Sequence, residues 1–442
     1  MIFIKIWKNT SYLDDGDILL VDELNLKYIN SDIIDKASKI VTNLDTNFNK
    51  ETIKVENIKE YMYFNYIDKI KDVKLIGITG TNGKTTTCYL IYQMLNYLGY
   101  KTAYIGTIGY YVEDKIIDLD NTTPDFDIIY NLILDAKEKE CIYVVMEVSS
   151  HALKQDRLYK LLFDVICVTN ITQDHLDYHK NMNDYINSKR LILNKLKNNR
   201  ICILNKKDKH YKKFIKKNNN NVILGKDYKI KKIIQNVDGS RIFFDDIILN
   251  TSLVGKFNAY NFIYAYLVIM YLGLNTKKIM QNSKSFIHPK GRMEKINYKK
   301  SVIFIDYAHT PDAVSNVLKT VKKINKKGII TIIGCGGNRD KLKRSKMGYV
   351  ACKYSSYVIF TNDNPRFENE EDIIKDILSG AKKNYEVIYD RKTAIIKGIS
   401  LLKNNNILLI LGKGHEEYQI INNEKKYFSD LEIVENYLKK IK

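Results

Sequence analysis

No two of the six cysteines, at 88, 141, 167, 202, 335 and 352, form a C-x-x-C pair. That excludes a metal knuckle or a disulfide frame and predicts reduced residues inside the strands and helices of a cytosolic protein. Long apolar runs are also missing. The N-terminus, MIFIKIWKNT, has too short an apolar run for a signal peptide, and Phe262–Leu274 is interrupted by three tyrosines and falls short of a membrane span. It is expected to be a buried helix. Acidic residues are in deficit: 51 Asp and Glu face 71 Lys and Arg, a formal net charge of +20. A polyanion such as nucleic acid is one reading of that balance. The better one is a Lys-, Asn- and Ile-heavy composition spread over solvated faces. Lys206-Lys207, Lys212-Lys213 and Lys216-Lys217 are short, scattered runs interleaved with Asn. A basic surface still draws in nucleotide substrates. Internal repeats are absent, and low complexity is confined to clusters such as Lys216–Asn221.

What is present is alternation. At 442 residues and 45% hydrophobic content the chain is too long for one core, so two or three domains are expected. Strand-like runs fall at Leu75–Thr79, Tyr143–Val148, Val165–Thr169, Ile201–Leu204, Val302–Ile305, Ile329–Ile333, Val358–Phe360 and Ile407–Leu411. Helical patterns separate most of them, which predicts an α/β fold of parallel sheets covered by helices, with ligands at the carboxyl ends of the strands. Three parts are expected: residues 1–73, a central ATPase-like domain over 74–297, and a second α/β unit over 298–442. His288-Pro289-Lys290-Gly291-Arg292 is expected to approach the hinge between the last two.

The most informative stretch is Val73–Leu90, VKLIGITGTNGKTTTCYL. An apolar run enters the turn Gly80-Thr81-Asn82-Gly83, then Lys84, Thr85 and Thr86, then a helix with Leu90, Ile91, Met94, Leu95 and Leu98 on one face that stops at Gly99. Backbone N–H groups in such a turn cradle phosphates, a lysine reaches the β- and γ-phosphates, and the Thr85 hydroxyl would ligate Mg. A strict G-x-x-x-x-G-K-[ST] pattern would need glycine where this chain has Ile78. The plain alternative is an ordinary Gly-rich turn.

More polar groups stand at strand ends. Asn121-Thr122-Thr123-Pro124 is one. Glu147-Val148-Ser149-Ser150-His151 follows an apolar strand, where a carboxylate can share a metal with nucleotide phosphates. Thr169–Asp177 contains Asp174, His175 and Asp177; with His179 these could also be read as a hydrolytic metal site, though H-E-x-x-H order is lacking. Lys189 falls on the apolar stripe of Ile186, Leu193 and Leu196. It either snorkels, or loses its charge and takes up carbon dioxide as a carbamate able to hold a metal. In the C-terminal part, Asp306 and His309 are expected to face a nucleotide. Gly334–Asp340 is a Gly-rich turn carrying Arg339. Asp363-Asn364-Pro365-Arg366 sets a carboxylate beside a guanidinium, which suits a zwitterion. Gly412-Lys413-Gly414-His415-Glu416 repeats the strand-end theme.

Nine motifs in order, GTNGKTT, NTTPD, EVSSHAL, TNITQDHLDYH, GRME, DYAHTPD, GCGGNRD, DNPR and GKGHE, resemble the Mur ligase family from about Lys74 to about Asp430. The Gly80-anchored loop is the form this family uses. The resemblance implies a three-domain architecture with a central P-loop sheet, a Rossmann-like C-terminal domain and here an abbreviated N-terminal domain. It implies ATP-dependent, amide-forming ligation of meso-diaminopimelate to the D-glutamate of a UDP-muramoyl-dipeptide, by way of an acyl phosphate, in peptidoglycan precursor synthesis. ATP would be held by Gly80, Thr81, Asn82, Gly83, Lys84, Thr85, Thr86, Asp306 and His309. Two Mg ions would be held through Thr85, Glu147, His175 and Lys189, the last as N6-carboxylysine formed with carbon dioxide. Lys84, Glu147, His175 and Lys189 would be the catalytic set. The muramoyl-dipeptide would meet Asn121, Thr122, Thr123, Ser149, Gln155 and Arg157. The diaminopimelate would meet Arg339, Asp363, Asn364, Pro365, Arg366, Gly412 and Glu416. Members with arginine at the DNPR turn are similar in using diaminopimelate, whose second carboxylate lysine lacks.

The implied partners are small molecules, with no nucleic acid, no membrane and a cytoplasmic monomer. Residues 1–70 depart from the family pattern and keep only an echo of its UDP-binding turn, mainly Gly16-Asp17. A lysine-adding relative, a folylpolyglutamate-type ligase and, from another class, a nucleic-acid-dependent P-loop ATPase are the alternatives.

Overall fold

The structure is a computed structural model that describes residues 4–176, 178–325, 327–422 and 424–441. The chain divides into two compact units, Met1–Asp227 with Tyr264–Asn275, and Tyr228–Ile263 with Thr276–Lys442. In the first, strands β1 (Ile6–Trp7), β2 (Ile18–Val21), β3 (Lys39–Thr42) and β4 (Thr52–Lys54) pair in parallel in the order 1-2-3-4. The helix Ile58–Ile70 follows and buries Ile58, Met62, Tyr66 and Ile70, an i, i+4, i+8, i+12 stripe.

The main sheet of this unit comprises β5 (Lys74–Thr79), β6 (Thr102–Gly106), β7 (Gly109–Val112), β8 (Asp114–Ile117), β9 (Tyr143–Glu147), β10 (Phe163–Val168), β11 (Leu196–Asn205) and β12 (Asn220–Leu224). Their order is 12-11-10-5-9-6-7-8. The six strands from β12 to β6 are mutually parallel, and β7 and β8 extend the edge antiparallel. The central strands are buried on both faces, which is why Tyr143–Met146 and Val165–Val168 are continuous apolar runs rather than alternating ones. Gly77 is needed on β5 because a Cβ there would lie 2.9 Å from the Phe163 ring. One apolar cluster runs from Ile6, Leu19 and Met62 to Ile129, Val144 and Ile166, so the N-terminal sheet and the main sheet share a core.

The second unit carries an antiparallel sheet of β13 (Ile230–Asn236), β14 (Gly239–Phe244) and β15 (Ile247–Thr251). Its larger sheet comprises β16 (Glu294–Tyr298), β17 (Ser301–Asp306), β18 (Ile329–Ile333), β19 (Tyr357–Phe360), β20 (Tyr385–Val387) and β21 (Ile407–Leu411), in the order 16-17-21-18-19-20. All neighbours are parallel except β16, an antiparallel edge that precedes the first strand expected from the sequence. A hairpin of β22 (Tyr418–Ile421) and β23 (Glu424–Tyr427) follows.

All six cysteines are free and buried. The expected buried helix spans Lys256–Tyr271. No helix among the described residues is long and apolar enough to cross a membrane.

Candidate active site

The loop between β5 and the helix Lys84–Tyr97 holds two glycines in conformations that other residues avoid. Gly80 has φ +146° and Gly83 has φ +89°. A Cβ on Gly80 would fall 2.0 Å from Thr169 Oγ1, so only glycine admits this approach. Asn170 braces the loop from the end of β10: its Oδ1 accepts from Asn82 N at 3.0 Å and its Nδ2 donates to Asn82 O at 2.8 Å. Lys84 Nζ donates to the carbonyls of Gly80 and Thr81, each at 3.0 Å.

Glu147 ends β9 fully buried. Its Oε1 accepts from Tyr104 OH at 2.6 Å and Thr107 N at 2.8 Å, and its Oε2 accepts from Thr85 Oγ1 at 2.9 Å and Thr107 Oγ1 at 3.2 Å. Gly106 makes room, since a Cβ there would lie 2.4 Å from Glu147 Oε1. The Thr85 hydroxyl and the Glu147 carboxylate thus sit side by side beside a phosphate-type loop. Hard oxygen donors of this kind suit a divalent cation such as Mg.

Lys189 lies on the helix Met182–Arg190 and is 1% exposed. Its Nζ donates to Gly80 O at 2.9 Å and lies 5.0 Å from the centre of the Tyr185 ring. Burial, and then the charge of Lys84, hold its amine well below the usual lysine range, with Asp174 opposing. A neutral amine is the form that adds to carbon dioxide.

His175 has left-handed backbone, φ +52°, and its side chain is 44% exposed. Its Nε2 lies 3.5 Å from Asp174 Oδ2 and its ring packs edge-on against His151. His179 is instead fully buried, with Nε2 3.0 Å from Ser150 Oγ and Nδ1 3.6 Å from Asp184. His175 and His179 lie on a turn rather than a helix, with His179 N donating to His175 O at 2.9 Å; Asp177 lies outside the described residues. No group of three or more His, Cys, Asp or Glu side chains among the described residues is arranged to hold a metal ion.

The segment 121–125 is pinned beneath the end of β9. Thr123 Oγ1 donates to Glu147 O at 2.8 Å and accepts from Ser149 N at 3.0 Å, and Thr122 Oγ1 lies 3.0 Å from Thr107 Oγ1. Arg157 Nη1 donates to Thr123 O at 2.7 Å while its Nε reaches Gln155 Oε1 at 2.8 Å and Asp125 Oδ1 at 3.0 Å. Ser149 Oγ caps the next helix through Ala152 N at 3.1 Å. Asn121 is exposed.

The second unit gathers its own set. A Cβ on Gly337 would lie 1.9 Å from Pro365 O, and one on Gly334 would lie 2.4 Å from Thr361 O. These glycines let the 334–340 turn lie directly against 361–366. Arg366 has φ +56°, and its Nη1 donates to Gly337 O at 2.9 Å. Arg344 forks onto Glu368 through two contacts of 3.0 Å and holds that carboxyl down to about 2. Arg339 is exposed on the turn, whereas Asp363, Asn364 and Pro365 are buried. Gly412 has φ +117°, and a Cβ there would lie 2.5 Å from Asp363 Oδ2. Glu416 is desolvated and stands near Asp363, both of which raise its carboxyl above the usual range against the pull of Lys413.

Asp306 spends both oxygens inside its own unit, on Met293 N at 2.7 Å and Ala308 N at 2.8 Å. Burial raises its carboxyl. His309 Nδ1 lies 2.8 Å from Tyr307 O. Sequence reading passed over Tyr104 and Thr107 as anchors of Glu147, and over Arg344 and Lys413. Of these only Lys413 lies within a quoted motif.

Residues 78–269 match the Mur ligase middle domain, and residues 291–414 match the glutamate ligase domain of Mur ligases. A protein of Aquifex aeolicus named UDP-N-acetylmuramoyl-L-alanyl-D-glutamate–2,6-diaminopimelate ligase is 42% identical over 375 residues, covering 83% of this chain and 77% of its own length. A solved structure bearing the same name superposes with a TM-score of 0.68 at 26% identity, over 99% of this chain and 95% of that one. The MurF ligase from Thermotoga maritima in complex with ADP shares the fold, with a TM-score of 0.72 at 15% identity over 99% of both chains.

Proposed function

Because the chain belongs to the Mur ligase family, we propose that it joins meso-diaminopimelate to the D-glutamate of UDP-N-acetylmuramoyl-L-alanyl-D-glutamate at the expense of ATP. The glutamate carboxylate attacks the γ-phosphorus, releases ADP and becomes an acyl phosphate. An amine of diaminopimelate then adds to the acyl carbon, expels phosphate and loses a proton, leaving the amide. The observation that carries this reading is the Thr85 hydroxyl hydrogen-bonded at 2.9 Å to buried Glu147 beside the Gly80–Lys84 loop.

The electrostatic problem is an anion approaching a triphosphate. Lys84 offers a cation to the β- and γ-phosphates, and the loop N–H groups and helix N-terminus add positive potential. Thr85 and Glu147 would hold Mg, with His175 and a carbamate on Lys189 completing a two-ion arrangement that neutralises the phosphate oxygens. Lys189 is suited to carbamate formation because burial disfavours the charged form of its amine. Asn121, Thr122, Thr123, Ser149, Gln155 and Arg157 are assigned to the muramoyl-dipeptide. Arg339, Asp363, Asn364, Pro365, Arg366, Gly412 and Glu416 are assigned to diaminopimelate, and Asp306 and His309 to the nucleotide side. Residues 1–73, 74–297 and 298–442 then serve the UDP substrate, ATP and the amino acid in turn, in a cytosolic monomer.

Hydroxylamine trapping tests the intermediate. With ATP, Mg, bicarbonate and the nucleotide-dipeptide but no diaminopimelate, hydroxylamine is expected to yield a hydroxamate at the glutamate. Amide synthesis with diaminopimelate but no hydroxamate under any condition would contradict the acyl phosphate.

A further inference from the structure

The amide of Asn364 has its orientation forced by its neighbours. Two groups that can only donate, the Ile420 backbone N–H at 3.0 Å and the Lys413 amine at 3.1 Å, meet the same side-chain oxygen. That oxygen has two lone pairs, and both are used. The nitrogen therefore faces Glu416 and donates to its Oε2 at 2.9 Å. Lys413 closes the triangle through its own contact of 3.3 Å with Glu416 Oε2. It is fully buried, with the centre of the Tyr418 ring 5.5 Å from its Nζ. A buried ammonium is costly unless its partners are good, and here they are two residues assigned to the incoming amino acid.

The triangle dictates what this turn can offer a ligand. Asn364 has an N–H left to give and no lone pair. Glu416 Oε2 is spent, while Oε1 has only the long 3.4 Å contact from Tyr307 OH. Asp363 and Glu416 are like charges that disfavour each other, and Lys413 offsets the second. One donor beside two carboxylate groups complements a zwitterion, whose carboxylate takes the N–H and whose ammonium takes the acids.

We infer that Lys413 is a positioning residue for amino-acid selection, locking Asn364 as a donor and Glu416 as an acceptor while itself touching no substrate. The inference rests on the diaminopimelate assignment above. With Lys413 replaced by an apolar side chain, the Asn364 oxygen keeps only the Ile420 N–H to hold it, one of its lone pairs is released, and Glu416 loses its cation.

Steady-state kinetics with each substrate varied in turn, on the full chain and alongside melting temperatures, test this in the wild type, Lys413→Met and Asn364→Asp. Lys413→Met is expected to raise KM for diaminopimelate by about tenfold or more, with KM for ATP and for the nucleotide-dipeptide within about twofold. Asn364→Asp keeps the shape and an acceptor for Lys413 but removes the donor, and is expected to raise the same KM by a similar factor. It decides the matter if Lys413→Met does not fold. Equal shifts in all three KM values, or an unchanged KM for diaminopimelate in a folded variant, would overturn the positioning role. A wild type that joins no diaminopimelate overturns the parent assignment as well, so the two failures are told apart before any variant is made.

Discussion

Lys189 Nζ and Lys84 Nζ both donate to the Gly80 carbonyl, at 2.9 and 3.0 Å. Two ammonium groups on one buried acceptor repel, which adds to burial in disfavouring the charged form of the fully enclosed one. Lys189→Ala is expected to lose activity by about a hundredfold or more, with partial recovery on adding short carboxylates such as acetate; full activity in the unrescued variant would defeat the carbamate role. Arg366→Ala is expected to raise KM for diaminopimelate by about tenfold and leave KM for ATP nearly unchanged, because the guanidinium ties the turn to Gly337 and Arg366 is assigned to diaminopimelate, whose second carboxylate suits an arginine. Equal losses in both KM values would count against the assignment. The burial of Lys189 was legible in the stripe it shares with Ile186 and Leu193. The burial of His179 and Lys413 was not. His179 stands between Tyr178 and Lys180 and Lys413 between two glycines, with no apolar stripe around either, and only the tertiary fold encloses them.

Among the elements, β1 is held to the helix Phe126–Glu138 by side chains rather than by a sheet partner alone. Tyr66 OH accepts from Ile6 N at 3.0 Å, Asn131 Nδ2 donates to Ile6 O at 2.8 Å, and Asp127 Oδ2 accepts from the N–H groups of Lys8 and Asn9 at 2.8 Å each. Asn131→Leu strands in the core the Ile6 carbonyl and the proton of the Tyr66 hydroxyl, which donates to Asn131 Oδ1 at 2.5 Å. It is expected to cost about 2–6 kcal/mol in urea unfolding, at about 1–3 kcal/mol for each orphaned group. A cost below about 0.5 kcal/mol would mean the docking is held elsewhere.

The Arg344–Glu368 fork makes a prediction in pH. Folding lowers the Glu368 carboxyl from its ordinary value of 4.5 to about 2, so its contribution is complete above pH 4.5 and fades as pH falls toward 2. A Glu368→Gln variant should therefore show a shallower loss of stability across that window than the wild type; identical acid limbs would refute it.

The parallel strands β5, β9, β10, β11, β17, β18, β19 and β21 were legible, because burial on both faces writes uninterrupted β-branched runs, whereas the parallel strands β1–β4, β6, β12 and β20 were not marked. The antiparallel pieces were not. Ile230–Asn236 exposes Lys231, Lys232, Ile234 and Asn236 in a segment that is nowhere fully buried, and its sequence looks like another solvated Lys-rich run. Most of the carboxyl-end motifs were found because they follow a legible strand; Asn121–Pro124 follows β8, which was not marked.

At the scale of the whole molecule, the charge of +20 raised the question of a polyanion partner. The paired lysines at 206–207, 212–213 and 216–217 are all exposed, around a short helical turn at Tyr211–Phe214. DNA or RNA is therefore expected to leave phosphate release from ATP unchanged at moderate salt; several-fold stimulation would revive the nucleic-acid reading.

The central claim is that a carboxylate is activated by phosphorylation and captured by a particular diamine. It is tested most directly by measuring phosphate release with ATP, Mg, bicarbonate and UDP-N-acetylmuramoyl-L-alanyl-D-glutamate, with meso-diaminopimelate and L-lysine compared side by side. The account predicts release that depends on diaminopimelate, matched by formation of the nucleotide-tripeptide, with lysine a poor substitute. Equal turnover with lysine, or no amide product with either, would contradict it.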